Sequence, residues 1–166
     1  RNFIDFSAVP PGSDDYAAVL AAIAERDRAV RQATIRELER AWGQQRFDVA
    51  FSGGQYQCDW APFYGGQEVS FSHRVIDETI AGFALAEREL MVIDLHTGLG
   101  PWAYGELISD HPPGSRGNDY GRQLFGPALA ITHEGGSFSV PKRGLLDYHW
   151  HRLMQQRGCF ITLEFG

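Results

Sequence analysis

The chain has 166 residues, enough for one domain with a buried core. Its 43% apolar and 13% aromatic shares speak against disorder, and its net charge of -6 gives no basic footprint for nucleic acid. No apolar run approaches the roughly 18 residues of a membrane span, and the opening RNFIDFSAVPPGSDD has no secretory pattern.

Residues 1–14 read as extended and loop-like, broken by Pro10, Pro11 and Gly12. Asp14 or Asp15 is placed to cap a helix running to about Trp42. Along it Leu20, Ile23, Val30, Leu38 and Trp42 share a face. Gly43 is its stop, and a short helix or turn covers residues 44–51. Residues 52–71 hold two Gly-Gly pairs and several aromatics, the composition of a shaped loop.

Ser72 is expected to cap a helix over residues 73–88, followed by a buried strand, ELMVIDL, at 89–95 and a loop at 96–102. Residues 104–109 read as another strand, 111–118 as turn-rich, 119–125 as helical and 127–131 as ambiguous. Residues 135–143 read as loop, 145–156 as an amphipathic helix ending at Gly158, and 159–165 as a buried final strand. There is no internal repeat. Apolar strands alternating with helices predict an α/β fold with a mixed, largely parallel sheet flanked by helices.

Two cysteines, Cys58 and Cys159, form no CxxC and are too few for a disulfide framework, which predicts a cytoplasmic setting. Phe3, Ile4 and Phe6 already look like the inside of a domain, and the chain stops on an apolar strand. These features predict an incomplete domain, truncated at both ends, with open sheet edges and self-association.

Chemistry concentrates at two strand ends. In VIDLHTGLGPWAYGELI, residues 92–108, His96 leaves a strand for a Gly-rich loop, where α/β sheets place ligands. His96 is either a ligand or a histidine that only caps the strand by hydrogen bonding. In ITLEFG, residues 161–166, Glu164 ends an apolar run. A buried carboxylate there needs a partner or a role as general base, so it is either salt-bridged or catalytic. Asp94 lies two residues before His96 on the same strand face, able to orient the imidazole or merely to end the strand.

The other histidines read as bland. His149 and His151 are two apart on a helix and are taken as surface. His133 and Glu134 lie in a loop, His73 near a helix start and His111 in an exposed loop. No HExxH or HxxE pair occurs.

DLHTGLGPWAYGELI at 94–108, LEFG at 163–166, SGGQYQ at 52–57, FYGG at 63–66 and the opening RNFIDF together resemble the zinc metallocarboxypeptidase-like superfamily. That superfamily includes zinc carboxypeptidases and the aspartoacylase group. More narrowly, the motifs resemble its bacterial DUF2817 branch. The resemblance implies that residues 1–166 are the C-terminal part of one catalytic domain. It implies one zinc, with His96 as the later histidine ligand and Glu164 as the catalytic glutamate. Arg1 is implied as the arginine that binds the substrate carboxylate. The implied substrate is a small peptide or N-acyl amino acid, with no nucleic-acid or membrane partner.

Where the family carries an HxxE motif, this chain has nothing before Arg1, and Gln57-Cys58-Asp59 replaces a His-Pro pair. The fragment alone is therefore expected to be inactive, with the other zinc ligands upstream of residue 1. The alternative is a zinc-free ligand-binding module with Tyr56, Trp60, Tyr64 and Trp102 lining a pocket. A third reading is a generic α/β domain with accidental motif matches.

Overall fold

The computed structural model of the chain describes residues 1–98, 100–134, 140 and 142–166. Much of the loop expected at 135–143 therefore lies outside the described residues. The chain divides into two compact units, Arg1–Phe71 with Val140–Leu145, and Ser72–Ser139 with Leu146–Gly166.

The first unit is helical. Helix α1 spans Asp14–Ala24 and α2 spans Arg28–Trp42, where one helix to Trp42 was expected. The break comes from Asp27. Its Oδ1 accepts the N–H groups of Ala29 and Val30 at 2.7 and 3.1 Å, so they need no carbonyls from a preceding turn. Ser13, not Asp14 or Asp15, caps α1, accepting the Tyr16 N–H at 3.1 Å. Asp15 instead pairs with Arg46 at 2.8 Å.

Gly43, at φ 77°, ends α2, and its N–H reaches the Glu39 carbonyl, the expected stop. Helix α3, Gln44–Ser52, follows. Val19, Phe47 and Ala50 form the core, flanked by Ile23, Ile35, Leu38, Trp42 and Phe51. Val30, expected on that face, is half exposed.

The loop after α3 is shaped by one buried amide. Gln55 Nε2 donates to the Cys58 carbonyl at 2.7 Å, and its Oε1 accepts the N–H groups of Gln57 and Cys58. A buried amide satisfied on both sides holds this turn without regular secondary structure.

The second unit is built on a four-stranded sheet: β1, Leu90–Thr97; β2, Gly105–Ser109; β3, Leu129–Ile131; and β4, Gly158–Phe165. The order is β1-β4-β2-β3. β1 and β4 run parallel, as do β2 and β3, while β2 and β4 are antiparallel, so the sheet is mixed as expected. Helix α4, Phe71–Gly82, ends earlier than expected, with a 3-10 turn at Leu85–Glu87. Ser72 lies inside α4 rather than capping it. Helices α5, Arg116–Phe125, and α6, Leu146–Met154, complete the unit.

β4 is the buried strand, with Cys159, Phe160 and Ile161 almost fully enclosed. Leu129, Ile131, Cys159 and Ile161 form the core with Leu107, Tyr120 and Phe125. β1, expected to be buried, is an outer strand of this sheet. Met91, Ile93 and Leu95 alternate along it and are exposed.

Two histidines expected at the surface lie inside. His111 is 2% exposed, and its Nε2 accepts the Phe160 N–H at 2.9 Å. Its ring stacks on His151, centroids 3.8 Å apart. Burial pushes the His111 pKa down to about 4 against the pull of Asp110. Burial, then His111 and Arg152, push His151 down to about 3. Both are therefore neutral in the folded chain at pH 7, whereas in the unfolded chain each takes up a proton near 6.5.

The unfolded state thus binds more protons in acid, and stability rises with pH. The contribution of the pair is complete above about pH 6.5 and is lost progressively as pH falls towards 4 and 3. Urea unfolding followed from pH 7.5 to pH 4 is expected to show a falling midpoint, with a shallower fall in His151→Phe. A midpoint independent of pH over that range would contradict a neutral buried pair.

Candidate functional site

The β1–β4 register sets the site. Asp94 pairs with Thr162, Leu95 with Leu163, and His96 with Glu164. Paired residues of neighbouring strands project to the same face, so two residues 68 positions apart become neighbours at the strand ends. His96 Nδ1 lies 3.4 Å from Glu164 Oε2. Glu164 is 7% exposed, while the His96 side chain is about half exposed. The carboxylate is therefore set deep and the imidazole reaches towards solvent.

Asp94 holds the other ring nitrogen, its Oδ2 being 3.0 Å from His96 Nε2. A carboxylate at Nε2 favours the tautomer with its proton there. Nδ1 faces Glu164, and the shorter contact at Nε2, 3.0 against 3.4 Å, decides between the two carboxylates. His96 is thus hydrogen-bonded at the strand end, one of its two open readings.

The strand continues through His96 to Thr97, one turn of the pleat beyond the loop start expected at His96. The loop that follows leaves β1 through Gly98 at φ 121°, whose N–H donates to the Phe165 carbonyl at 2.9 Å. Gly100, at φ 109°, lies against the backbone of Gly166. Gly105 packs under the Phe165 ring, so it serves strand packing rather than an open approach.

On its other side β4 places Glu106 of β2 opposite Glu164. A third carboxylate, after Asp94 and Glu164, thus shares the face; Glu106 lies within the 94–108 motif but was not singled out there. Only the antiparallel register reveals it.

Arg1 belongs to the first unit. Its Nη2 donates to the Ser52 carbonyl at 2.7 Å, and its guanidinium lies 5.4 Å from the Phe63 ring centroid. The same unit contains a cleft of about 560 Å³ lined by Tyr16, Arg46, Gln55, Gln57, Arg143 and neighbours. The expected aromatic lining is not what forms it. Tyr56 is buried with its hydroxyl on the Arg1 carbonyl at 2.7 Å, and Trp60 is largely exposed. In the second unit Trp102 is 92% exposed.

Among the described residues, one group of three donors converges closely enough to hold a metal ion: His73, Asp77 and His149. Sequence reasoning missed it, because His149 was taken as helix surface. Burial lowers the His149 pKa, opposed by Asp77 and reinforced by His73 and Arg152. His133, by contrast, sits in a 3-10 turn with Glu134, which pairs with Arg122, a polar role as expected.

A family described as a protein of unknown function, DUF2817, matches residues 1–166. The chain belongs to the DUF2817 family. No curated protein and no solved structure matched it. Among the described residues of this DUF2817 chain, no helix is long and apolar enough to cross a membrane.

The tautomer of His96 in this DUF2817 chain is directly measurable. Long-range 1H–15N spectra at pH 8 are expected to show His96 with its proton on Nε2. In Asp94→Ala both tautomers are expected, with the fold unchanged. An Nδ1-protonated ring in the unsubstituted chain would contradict the role given to Asp94.

Proposed function

We propose that this DUF2817 chain carries the strand-end part of a zinc-dependent hydrolase of peptide or N-acyl amino acid amide bonds. The observation that supports the reading is the placement of Glu164 beside His96, with Asp94 on the far side of the ring. An imidazole held by a carboxylate at one nitrogen, with its other nitrogen beside a second carboxylate, is a donor set that suits zinc. His96 would hold the ion. The other protein ligands would come from an HxxE-type motif, which residues 1–166 do not contain.

When bound, zinc supplies Lewis-acid polarisation of the scissile carbonyl and a water of lowered pKa. The residues of the chain do the rest. Glu164 takes a proton from the attacking water and returns it to the leaving amine. Its burial removes competing solvent, so the carboxylate acts on the water held beside it. Asp94 keeps the imidazole in one orientation through the cycle. Arg1, which the resemblance implies as the arginine for a substrate carboxylate, lies in the first unit with its guanidinium on the Ser52 carbonyl. The reading includes a cytoplasmic setting, consistent with Cys58 and Cys159 being free thiols.

A zinc-free binding module is the second reading. The cleft of the first unit favours it, since that cleft presents amide and guanidinium groups suited to a polar ligand.

The two readings separate in a longer protein that includes the HxxE segment, assayed against N-acyl amino acids and short peptides. Chelator-sensitive hydrolysis is expected. Glu164→Gln is expected to lower kcat by about 10²–10⁴ with little change in KM, and His96→Ala is expected to lose zinc and activity together. Residues 1–166 alone are expected to show no hydrolysis. Absence of chelator-sensitive hydrolysis by the longer protein would sink the hydrolase reading, and full activity in Glu164→Gln would sink the role given to Glu164.

A further inference from the structure

His73 and Asp77 stand one helical turn apart on α4, and His149 meets them from α6. His73 Nε2 lies 3.6 Å from Asp77 Oδ2, and His149 Nε2 lies 2.9 Å from Asp77 Oδ1. All three donor atoms lie within 4.8 Å of one another. A tetrahedral ion with bonds of about 2.0–2.1 Å separates its ligand atoms by about 3.3–3.4 Å. The observed spacings fall on either side of that value, so small side-chain rotations close the set around an ion.

We propose that His73, Asp77 and His149 bind one divalent cation of the zinc class, tying α4 to α6. The site shares no residue with the strand-end pair and does not rest on the hydrolase reading. The donors decide the class of ion. Two imidazoles and one carboxylate suit Zn2+ or Co2+, whereas Mg2+ and Ca2+ take oxygen ligands.

The setting is partly built in advance. His73 is buried, and its ring meets that of His149 edge to face at 5.2 Å, so both imidazoles are held in place. Asp77 is half exposed, which gives the ion a path in from solvent and room for a water as fourth ligand. The i, i+4 spacing makes α4 a two-donor clamp by itself. The third donor comes from another helix, so binding couples the two.

The same atoms admit an ion-free arrangement in which His149 Nε2–H simply donates to Asp77. Metal titration separates the two. Chelator-stripped chain 1–166 is titrated with Co2+, followed by its visible absorption, and then with Zn2+ as competitor. One equivalent of Co2+, displaced by Zn2+ and not by Mg2+, is expected. Zn2+ at about a hundredfold excess over its Kd is expected to raise the melting temperature by roughly 5–10 °C.

Asp77→Asn and His149→Gln are each expected to weaken Co2+ binding at least about tenfold, with circular dichroism unchanged. His96→Ala is expected to leave it intact, which keeps this result separate from the fate of the hydrolase reading. Because Asp77 is half exposed, its amide variant is expected to fold. No Co2+ binding by the folded chain would overturn the proposal. So would binding abolished by His96→Ala and retained in Asp77→Asn and His149→Gln.

Discussion

Eight consecutive residue pairs, from Leu90 with Gly158 to Thr97 with Phe165, tie β1 to β4, and the chemistry of the second unit hangs on their register. A slip of one residue would place His96 beside Leu163 or beside Phe165 and turn every β1 side chain to the other face. The register is held from the β4 side. Cys159, Phe160 and Ile161 are enclosed, so β4 cannot shift without exposing core. β1, exposed on alternate residues, follows β4 rather than directing it.

β4 also explains a histidine that otherwise has no evident reason to be buried. Its pairing with β2 ends at Ile108 with Thr162, leaving the Phe160 N–H without a strand partner on that side. A buried backbone N–H left unpaired is costly. The His111 imidazole supplies the acceptor where the strand runs out. The ring must stay neutral to do so, and that requirement links a local hydrogen bond to the acid sensitivity of the whole unit.

How much of this was legible in one dimension depends on how far apart the partners lie. ELMVIDLH and ITLEFG announce strands that end in polar groups, so His96 and Glu164 were readable as strand-end residues. Their adjacency was not, because it depends on register. Glu106, although inside the 94–108 motif, was not singled out for the same reason. Asp27 lies among charges on a helical face, where a cap and a solvated side chain look alike, so one helix was expected where there are two. His111, His149 and His151 read as surface because their partners lie far off in sequence, His111 being 49 residues from Phe160. β1 read as buried because an apolar run does not tell an inner strand from an outer one. The family, carried by short motifs in fixed order, was the most legible feature, and the DUF2817 match spans the chain.

Helix α6 has only nine residues, too few to be stable by propensity. Three of its side chains are engaged outside it: Tyr148 donates to Asp110 at 2.9 Å and His151 stacks on the adjoining His111, both just after β2, while His149 meets Asp77 of α4. Each contact fixes the rotation of the helix about its own axis, and together they allow only one. The consequence concerns how this sequence can diverge. A change at Tyr148, His149 or His151 removes one contact of Asp110, Asp77 or His111, each of which keeps another partner in Thr132, His73 or the Phe160 N–H, so a single change loosens the helix and a second is needed to free it. A helix that looks like ordinary amphipathic surface is thereby among the least free segments of the chain to drift.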